Sequence, residues 1–246
     1  MQPPIHVILV GASGAVGSRI DALATSDPRF DVVARIDRQR PHHHADMLRV
    51  KTPEIIVDFS HFSAVEASAS LARQRRAPIL VGTTALAPYH LDTLAQLARD
   101  VPVLVAPNTS VGSVVLLQIV QKIASALGEN FFPSITEWHR QGKADAPSGT
   151  ANALRRAIED AARGARDFGP MAVASVRAGS IVGEHLVRFD GPEETLELVH
   201  KAHSRDLFAR GALRAAQWLV AQKPGLYGMI DVLGLRDPSN QGQHPA

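Results

Sequence analysis

The chain has 246 residues, of which 45% are hydrophobic and 20% charged, and its formal net charge is +2 at pH 7, as is typical of a soluble globular protein. It contains no cysteine, which excludes disulfides, thiolate metal sites and a cysteine nucleophile. No apolar run approaches the roughly 20 residues that cross a bilayer, and the N-terminus lacks the basic region of a signal peptide. Basic residues are not concentrated in one segment and aromatic residues are few, so no nucleic-acid partner is predicted. We therefore expect a cytoplasmic protein with no membrane partner.

The first part of the chain alternates short β-branched runs with helical patterns. The pattern predicts strands at residues 6–10, 30–35, 55–59, 79–82 and 103–105, and helices at residues 15–25, 64–75 and 89–100. Continuous apolar strands separated by helices indicate a parallel sheet that is covered on both faces.

After residue 107 the pattern changes. It predicts a helix at residues 111–127, a strand at 134–140, a helix at 150–162, strands at 172–177, 185–189 and 195–200, and an amphipathic helix at 206–219. Alternation with period two and short connections indicate a mostly antiparallel sheet. The Pro- and Gln-containing tail from residue 237 is expected to be frayed.

A glycine-rich turn directly follows the first predicted strand. The sequence Gly-Ala-Ser-Gly-Ala-Val-Gly at residues 11–17 leads into a helix, and Asp37 ends the second strand at the separation that the dinucleotide fingerprint requires. Glycines allow close approach of a pyrophosphate, whose charge the helix N-terminus offsets. Asp37 favours NAD through the adenosine ribose, whereas Arg38 favours NADP through the 2′-phosphate, unless Arg38 is only a solvated loop residue. Both NADH and NADPH therefore remain open.

The predicted fold class is α/β, with a Rossmann-type parallel-sheet dinucleotide-binding domain plus an α+β domain with a mostly antiparallel sheet. The first domain is assigned to residues 1–109 with 206–246, and the second to residues 110–205. Two more loops, residues 82–84 and 106–110, follow strands of the first domain, where ligands of open α/β sheets bind. Ordinary turn chemistry is the alternative for both loops.

The segment at residues 137–150 combines groups suited to chemistry on a carboxylate. His139 is a potential general acid, Lys143 is a cation, and the sequence Pro-Ser-Gly-Thr leads into a helix whose first N–H groups can bind an anion. Ser148 or Asp145 would also suit the helix cap. On a strand Glu137 and His139 lie on one face, and Arg140 lies on the other. His139 and Arg140 therefore meet one ligand only if the strand ends there.

These motifs resemble those of the 4-hydroxy-tetrahydrodipicolinate reductase (dihydrodipicolinate reductase) family of lysine and diaminopimelate biosynthesis. The resemblance covers nearly the whole chain, and the Asp-Ala-Pro-Ser-Gly-Thr block is its most specific part. Besides the glycine loop, the matching motifs are Val-Asp-Phe-Ser at residues 57–60, Val-Gly-Thr-Thr at 81–84, Ala-Pro-Asn at 106–108, Ser-Val-Gly at 110–112, Lys-Ala-Asp-Ala-Pro-Ser-Gly-Thr-Ala at 143–151, Arg-Ala-Gly at 177–179, Ile-Val-Gly-Glu-His at 181–185, Ser-Arg at 204–205, Phe-Ala at 208–209, Gly-Ala at 211–212, Pro-Gly-Leu-Tyr at 224–227 and Asp-Val-Leu at 231–233.

The resemblance implies reduction of a cyclic, imine-containing dicarboxylate by NADH or NADPH. It also implies a homotetramer that assembles through the sheet of the second, substrate-binding domain. His139 would be the proton donor or acceptor, Lys143 a proton donor, and Ser148, Gly149 and Thr150 the cradle of a substrate carboxylate. The implied cofactor-binding residues are Gly11, Ala12, Ser13, Gly14, Ala15, Val16, Asp37, Arg38, Gly82, Thr83, Thr84, Ala106, Pro107, Asn108, Thr109, Arg205 and Phe208.

Some residues differ from the usual pattern of this family. Arg140 stands where a second histidine is usual; it either binds a substrate carboxylate through its guanidinium or points away. Thr109 stands where phenylalanine is common. A same-fold reductase of a different cyclic imine or carboxylate, or a non-catalytic dinucleotide-binding protein, remains an alternative. The histidines at residues 42–44 are interpreted as a solvated loop, His185 and His200 as core or interface residues, and no metal site is predicted.

Overall fold

The structure is a computed structural model that describes residues 3–37, 55–127, 130–162 and 171–236. Arg38 and the histidines at 42–44 lie outside the described residues. The chain divides into two compact units, one of Met1–Ser110 with Arg205–Ala246 and the other of Val111–Ser204. The boundaries assigned from the sequence lie next to those of the two units.

The described strands and helices are numbered here in chain order. The strands are β1 (Ile5–Val10), β2 (Phe30–Ile36), β3 (Ile55–Asp58), β4 (Ile79–Val81), β5 (Pro102–Val105), β6 (Phe132–His139), β7 (Ala172–Arg177), β8 (Gly183–Asp190), β9 (Thr195–Ala202) and β10 (Gly225–Tyr227). The helices are α1 (Gly17–Thr25), α2 (Val65–Arg75), α3 (Pro88–Leu97), α4 (Val111–Ala126), α5 (Gly149–Ala162), α6 (Asp206–Leu219) and α7 (Met229–Val232), and a 3-10 turn spans Phe62–Ala64. Among the described residues, no helix is long and apolar enough to cross a membrane.

The first unit is built on a parallel sheet with the strand order β10-β5-β4-β3-β1-β2. Every residue of β3 and β4 is buried, as expected for central strands that helices cover on both faces. One side of the sheet packs on α2 and α3 through residues such as Ile56 and Leu94. Helix α6, with its buried alanine-rich stripe, contacts α1 and the sheet. The predicted Rossmann-type parallel sheet is therefore confirmed.

The C-terminal part of this unit contains two elements that the sequence pattern did not reveal. Strand β10 pairs in parallel with β5 and extends the sheet, and α7 follows it. The ring of Tyr227 packs edge-on against Trp218, with centroids 5.2 Å apart, and its hydroxyl donates to the carbonyl of Lys223. A strand of three residues is too short to show period-two alternation, so only its pairing with β5 identifies it.

The second unit contains the sheet β7-β6-β8-β9. Pairs β6–β8 and β8–β9 are antiparallel, as expected, but β6 and β7 pair in parallel, so the sheet is mixed. Alternate residues of β6 and β8, among them Ile135, Val187 and Phe189, are buried in a core with α4 and α5. The predicted strand at 134–140 begins earlier than expected and ends at His139.

Candidate active site

The end of β6 determines which way the candidate acid residues face. Glu137 and His139 lie on the buried face of the strand, whereas Trp138 alternates to the other face. The strand ends at His139, and Arg140 follows as an exposed residue outside it. A Cβ built on Gly142 would lie 2.9 Å from Nη1 of Arg140, so the guanidinium folds over this glycine. Arg140 therefore lies beyond the regular alternation of β6 that would place it opposite His139.

Glu137 is a fully buried carboxylate, and one of its two oxygens, Oε1, receives three hydrogen bonds. Its Oε1 accepts hydrogen bonds from the backbone N–H of Ser148 (3.0 Å), the hydroxyl of Ser175 (2.8 Å) and Nη2 of Arg177 (2.9 Å). Burial alone would raise the pKa of Glu137, but these hydrogen bonds outweigh it and lower the pKa to about 2. Glu137 is therefore ionised at neutral pH.

The second oxygen of Glu137 faces two histidines. Its Oε2 lies 3.4 Å from Nδ1 of His139 and 3.7 Å from Nε2 of His185, and the two imidazole rings meet edge-on with centroids 5.3 Å apart. Within the described part of the chain, neither this Oε2 nor Nδ1 of His139 makes a hydrogen bond. The buried carboxylate oxygen thus remains available to a proton on either ring.

The pKa values of both histidines are lowered. Burial lowers the pKa of His139, with Lys143 and Arg177 acting in the same direction and Glu137 opposing them. Burial, followed by the charge of His139, lowers the pKa of His185 to about 4. Both rings are therefore predominantly neutral near pH 7, and a protonated His139 depends on the charge of Glu137.

Lys143 lies in the loop after β6 and forms an ion pair with Asp145. Its Nζ is 2.6 Å and 2.7 Å from the two carboxylate oxygens of Asp145. Burial raises the pKa of Asp145, but the hydrogen bond from Lys143, a backbone hydrogen bond and the charges of Lys143 and Arg177 together outweigh it, so the pKa is lowered. The backbone carbonyl of Asp145 accepts a hydrogen bond from Arg177, which also binds Glu137. Arg177 therefore connects this loop with the end of β6.

The start of α5 is the place where the sequence predicts an anion cradle. Ser148 is buried; its Oγ accepts from the backbone N–H of Ala151 at 3.2 Å, which caps the helix, and lies 3.3 Å from Nε2 of His185. Gly149 is exposed, and a Cβ built on it would meet no atom within 4 Å. The side chain of Ser148 is thus engaged within the protein, and the open part of the cradle lies at Gly149.

In the first unit, the glycine loop between β1 and α1 fits a dinucleotide phosphate. Gly11 has φ +82, and a Cβ on Gly17 would lie 2.0 Å from the carbonyl oxygen of Gly11, so the turn requires glycine at both positions. The amide N–H groups of Ala15 and Val16 have no acceptor within the described residues, which leaves donors at the start of α1. Asp37 accepts hydrogen bonds from the N–H and the hydroxyl of Ser13, at 2.9 Å and 2.7 Å, and so lies against this loop.

The two further loops of this unit are partly occupied by internal contacts. The hydroxyl of Thr83 donates to the buried Asp58 at 2.8 Å, and that of Thr109 donates to the carbonyl of Phe208 at 2.8 Å. Thr84, Pro107 and Arg205 are exposed at the carboxyl ends of the strands or just before α6. Contacts from Thr83 and Thr109 to a cofactor would therefore use the backbone.

Glu137, His139 and His185 also have the geometry of a candidate metal site. Within the described residues, their ligand atoms lie within 4.8 Å of one another and all three side chains are buried. However, Arg177 binds the same carboxylate at 2.9 Å, and its charge opposes a cation there. The donor set fits an acid–base centre better than a resident metal ion.

Comparison with known proteins identifies the family. The profile "Dihydrodipicolinate reductase, N-terminus" matches residues 5–109, and the profile "Dihydrodipicolinate reductase, C-terminus" matches residues 112–233. The chain belongs to the dihydrodipicolinate reductase family. It is therefore an oxidoreductase with a dinucleotide-binding domain, and the resemblance described from the sequence is confirmed.

Two relatives agree with this assignment, and one solved structure has a similar fold. The chain is 36% identical to 4-hydroxy-tetrahydrodipicolinate reductase of Alkaliphilus metalliredigens, with 94% of this chain and 100% of the relative covered. It is 39% identical to the reductase of the same name from Syntrophus aciditrophicus, with 94% and 99% covered. The fold is similar to that of dipicolinate-bound dihydrodipicolinate reductase from Paenisporosarcina sp. TG-14, with a TM-score of 0.80, 20% identity and coverage of 93% and 98%.

Sequence reasoning assigned no role to several residues around His139. Glu137 was placed on the same face as His139, but Ser175, Arg177 and His185 come from β7 and β8 and were not connected with it. The register aligns Glu137 with both Ser175 and His185. Only a knowledge of that register, which the sequence pattern does not provide, would have brought these side chains together.

Proposed function

We propose that this protein reduces 4-hydroxy-tetrahydrodipicolinate to tetrahydrodipicolinate with NADH or NADPH, in lysine and diaminopimelate biosynthesis. The observation that carries the proposal is the match to curated reductases of this name over nearly the full length of both chains. The candidate acid His139, the cation Lys143 and the open helix start at Gly149 supply the groups that such a reaction needs.

Proton transfer is the chemical role of the second unit in this proposal. A nicotinamide supplies hydride when it is bound. The 4-hydroxyl group of the substrate leaves as water, which gives a conjugated imine. Once this imine has accepted hydride, the substrate carries an electron pair on an enamine nitrogen or carbon, and one proton must be delivered to it. His139 donates that proton, or receives it in the reverse direction, and the ammonium of Lys143 is the second donor. Lys143 is paired with Asp145, and an ammonium group has three N–H donors, so it can contact a substrate as well.

The substrate carboxylates are assigned to groups near the same strand end. The backbone N–H groups at the start of α5, at Gly149 and Thr150, bind one carboxylate with the help of the helix dipole. The exposed guanidinium of Arg140 binds a carboxylate as a bidentate partner, in place of the second histidine that is usual in this family. Ser148 contributes by capping and orienting this helix start.

The cofactor is assigned to the glycine loop and to the carboxyl ends of the parallel strands. Asp37, which already contacts Ser13, would accept from the ribose of NADH, whereas Arg38 would pair with the 2′-phosphate of NADPH. Because both groups are present, we propose that both cofactors are used. Thr84, Pro107 and Arg205 are the exposed members of the predicted contact set.

We further propose that the protein is a homotetramer that assembles through the outer face of the second unit's sheet. This face carries the side chains that alternate with the buried ones, including Val176, Trp138, Leu186 and Val199. Val199 is 55% exposed and Val176 is 37% exposed. Ion pairs between Lys201 and Glu184 and between Arg188 and Glu197 lie on the same face. A sheet face that lies opposite the core of its unit and exposes apolar side chains between ion pairs is expected to pack on another copy of the chain.

A steady-state assay with enzymatically generated 4-hydroxy-tetrahydrodipicolinate tests the proposed reaction. The absorbance of NADH and NADPH at a series of concentrations reports activity and cofactor preference together. We expect turnover with both cofactors, and we expect His139→Gln to lower kcat by about 10²- to 10⁴-fold with little change in the dissociation constant of NADH. Tight cofactor binding without oxidation of NADH or NADPH would instead indicate a non-catalytic dinucleotide-binding protein.

A further inference from the structure

Glu137 is a buried charge that has no part in the reaction proposed above. Its side chain is 0% exposed, and an ionised carboxylate at such a position is costly unless it is paired and hydrogen-bonded. Three hydrogen bonds satisfy Oε1, yet Oε2 receives none within the described residues. If Glu137 served only to pair with Arg177, the fold would not require its second oxygen, Oε2, to face two histidines.

We propose that Glu137 is the positioning residue of this site, which keeps the proton of His139 on Nδ1 and connects that ring with the anion cradle at the start of α5. The inference rests on the proposed function, because it assigns the role of Glu137 in the acid–base step of His139. Glu137 contacts neither substrate nor cofactor and acts through His139 and Ser148.

The tautomer of His139 follows from what Oε2 can accept. An ionised carboxylate oxygen is only an acceptor, so its neighbour Nδ1, 3.4 Å away, is favoured as the protonated nitrogen of a neutral ring. Nε2 then carries the lone pair and is the nitrogen directed away from Glu137. When Nε2 takes up a proton, the imidazolium has a negative charge beside it; when Nε2 gives the proton up, the ring returns to the same tautomer.

The charges around His139 make the contribution of Glu137 decisive. The groups that face the ring are Glu137 on β6, Lys143 and Asp145 in the following loop, Arg177 on β7 and His185 on β8. Burial, Lys143 and Arg177 disfavour the imidazolium, and Glu137 is the larger of the two carboxylate contributions that favour it. Without this carboxylate, His139 would hold a proton only at lower pH.

His185 helps to direct Glu137 toward His139. Its pKa is lowered to about 4, so it is neutral near pH 7 and does not compete as a cation for Oε2. Its Nε2 lies 3.3 Å from the hydroxyl of Ser148 and 3.7 Å from Oε2. The shorter of these two contacts is made to Ser148, which leaves Oε2 for His139.

The same carboxylate also connects the acid with the cradle. Oε1 accepts from the backbone N–H of Ser148, and the hydroxyl of Ser148 caps α5 at Ala151. Movement of Glu137 would therefore displace both the ring that transfers a proton and the helix start that binds a carboxylate. Proton donor and bound anion are held at a fixed separation by one buried side chain.

The Glu137→Gln variant tests this inference because it keeps the shape of the side chain but can present a hydrogen-bond donor, instead of an acceptor, to Nδ1. A glutamine that retains its oxygen toward Ser148, Ser175 and Arg177 places its NH₂ group against Nδ1, which must then be the acceptor. We expect kcat to fall by about tenfold or more with a smaller change in KM, and the limb of the kcat profile due to His139 to move to lower pH. Glu159→Gln, on α5 of the same unit and paired with Arg155, is the matched control and should leave both unchanged.

NMR of isotope-labelled histidine supplies a readout that does not depend on turnover. In the wild-type protein near pH 7 we expect the neutral His139 ring to carry its proton on Nδ1, and in Glu137→Gln on Nε2. A wild-type ring protonated on Nε2 would overturn the inference even if the variant fails to fold, as would an unchanged tautomer and pH profile in a folded Glu137→Gln. If wild-type protein does not reduce the substrate at all, the proposed function fails while the tautomer measurement still decides the role of Glu137.

Discussion

His139 lies between a buried carboxylate and a glycine. On one side Oε2 of Glu137 approaches Nδ1, and on the other a Cβ built on Gly183 would lie 3.0 Å from Nε2. Gly183 has no side chain, so the ring fits beside it without a clash. The nitrogen nearest to Gly183, Nε2, is the one that we assign to proton transfer. Glu137 and Gly183 together determine the position of the His139 ring.

Substitution Gly183→Ala should therefore impair the chemical step. The added methyl group must push the imidazole by a few tenths of an ångström, and small misplacements of a reacting group lower rates strongly. We expect kcat to fall by about tenfold, with an unchanged dissociation constant for NADH, since the glycine loop belongs to the first unit. Steady-state kinetics and NADH fluorescence titration measure the two quantities, and an unchanged kcat would contradict the placement of His139.

His185 predicts how stability depends on pH. Its pKa is about 4 in the folded protein against the ordinary value of 6.5, so between these values the unfolded chain binds a proton that the folded protein does not. The free energy of unfolding therefore falls as pH decreases from about 6.5 to about 4, by about 3 kcal/mol from this residue. In His185→Gln this decrease in the free energy of unfolding should disappear. Urea denaturation of both proteins at several pH values would measure the difference. Equal pH dependence in both proteins would show that His185 titrates normally.

At the scale of the elements, we propose similar anion-binding roles for the starts of α1 and α5. Each follows the carboxyl end of a strand by way of a turn and presents backbone N–H groups, at Ala15 and Val16 in one case and at Gly149 in the other. The first turn is packed tightly against its own backbone at Gly11 and Gly17, whereas Gly149 is open. Gly11 and Gly17 are thus required by the fold itself, apart from the cofactor binding that we propose for this loop.

The variants Gly17→Ala and Gly14→Ala separate these two requirements. A Cβ at position 17 would lie 2.0 Å from the carbonyl oxygen of Gly11, so Gly17→Ala should lower the free energy of unfolding by about 1–3 kcal/mol and weaken NADH binding. At position 14 the corresponding distance is 3.1 Å, so Gly14→Ala should retain most of the stability while weakening NADH binding. Thermal unfolding and NADH titration would measure both effects. Equal loss of stability in the two variants would contradict this division.

At the scale of the whole molecule, the chain leaves its first unit after Ser110 and returns to it at Arg205. The returning segment supplies α6, which packs on α1, and β10, which pairs with β5. The inserted unit has its own core between α4, α5 and one face of its sheet, while the other face bears apolar side chains such as Val199. This outer face is the surface that we assign to assembly.

The variant Val199→Lys tests that assignment. A lysine in the middle of β9 would place charges in the proposed contact between copies, so we expect a smaller particle than the homotetramer of the wild type. Ala67→Lys, on an exposed position of α2 in the first unit, introduces the same charge away from this face and should leave the tetramer intact. Sedimentation velocity measures the mass of each variant. A wild-type monomer, or a tetrameric Val199→Lys, would refute the proposed interface.

Local sequence patterns determined much of this protein. Apolar runs such as the one at β3, the glycine loop and the helix starts are properties of short segments, so the parallel sheet and the family could be predicted. His139 and Lys143 were singled out because they share one loop with the cradle, and their catalytic roles stay predictions. In contrast, β10 and the parallel pairing of β6 with β7 depend on contacts between distant segments, which local patterns do not encode.

The surroundings of His139 show the same division. The sequence by itself placed Glu137 and His139 on one face of a strand, because side chains alternate with period two. Only the tertiary structure brought Ser175, Arg177 and His185 to that carboxylate, because strand register and the packing of α5 decide which residues of separate segments become neighbours. Burial then determines the charge of each group, since the pKa of an enclosed side chain depends on every neighbour that the fold supplies.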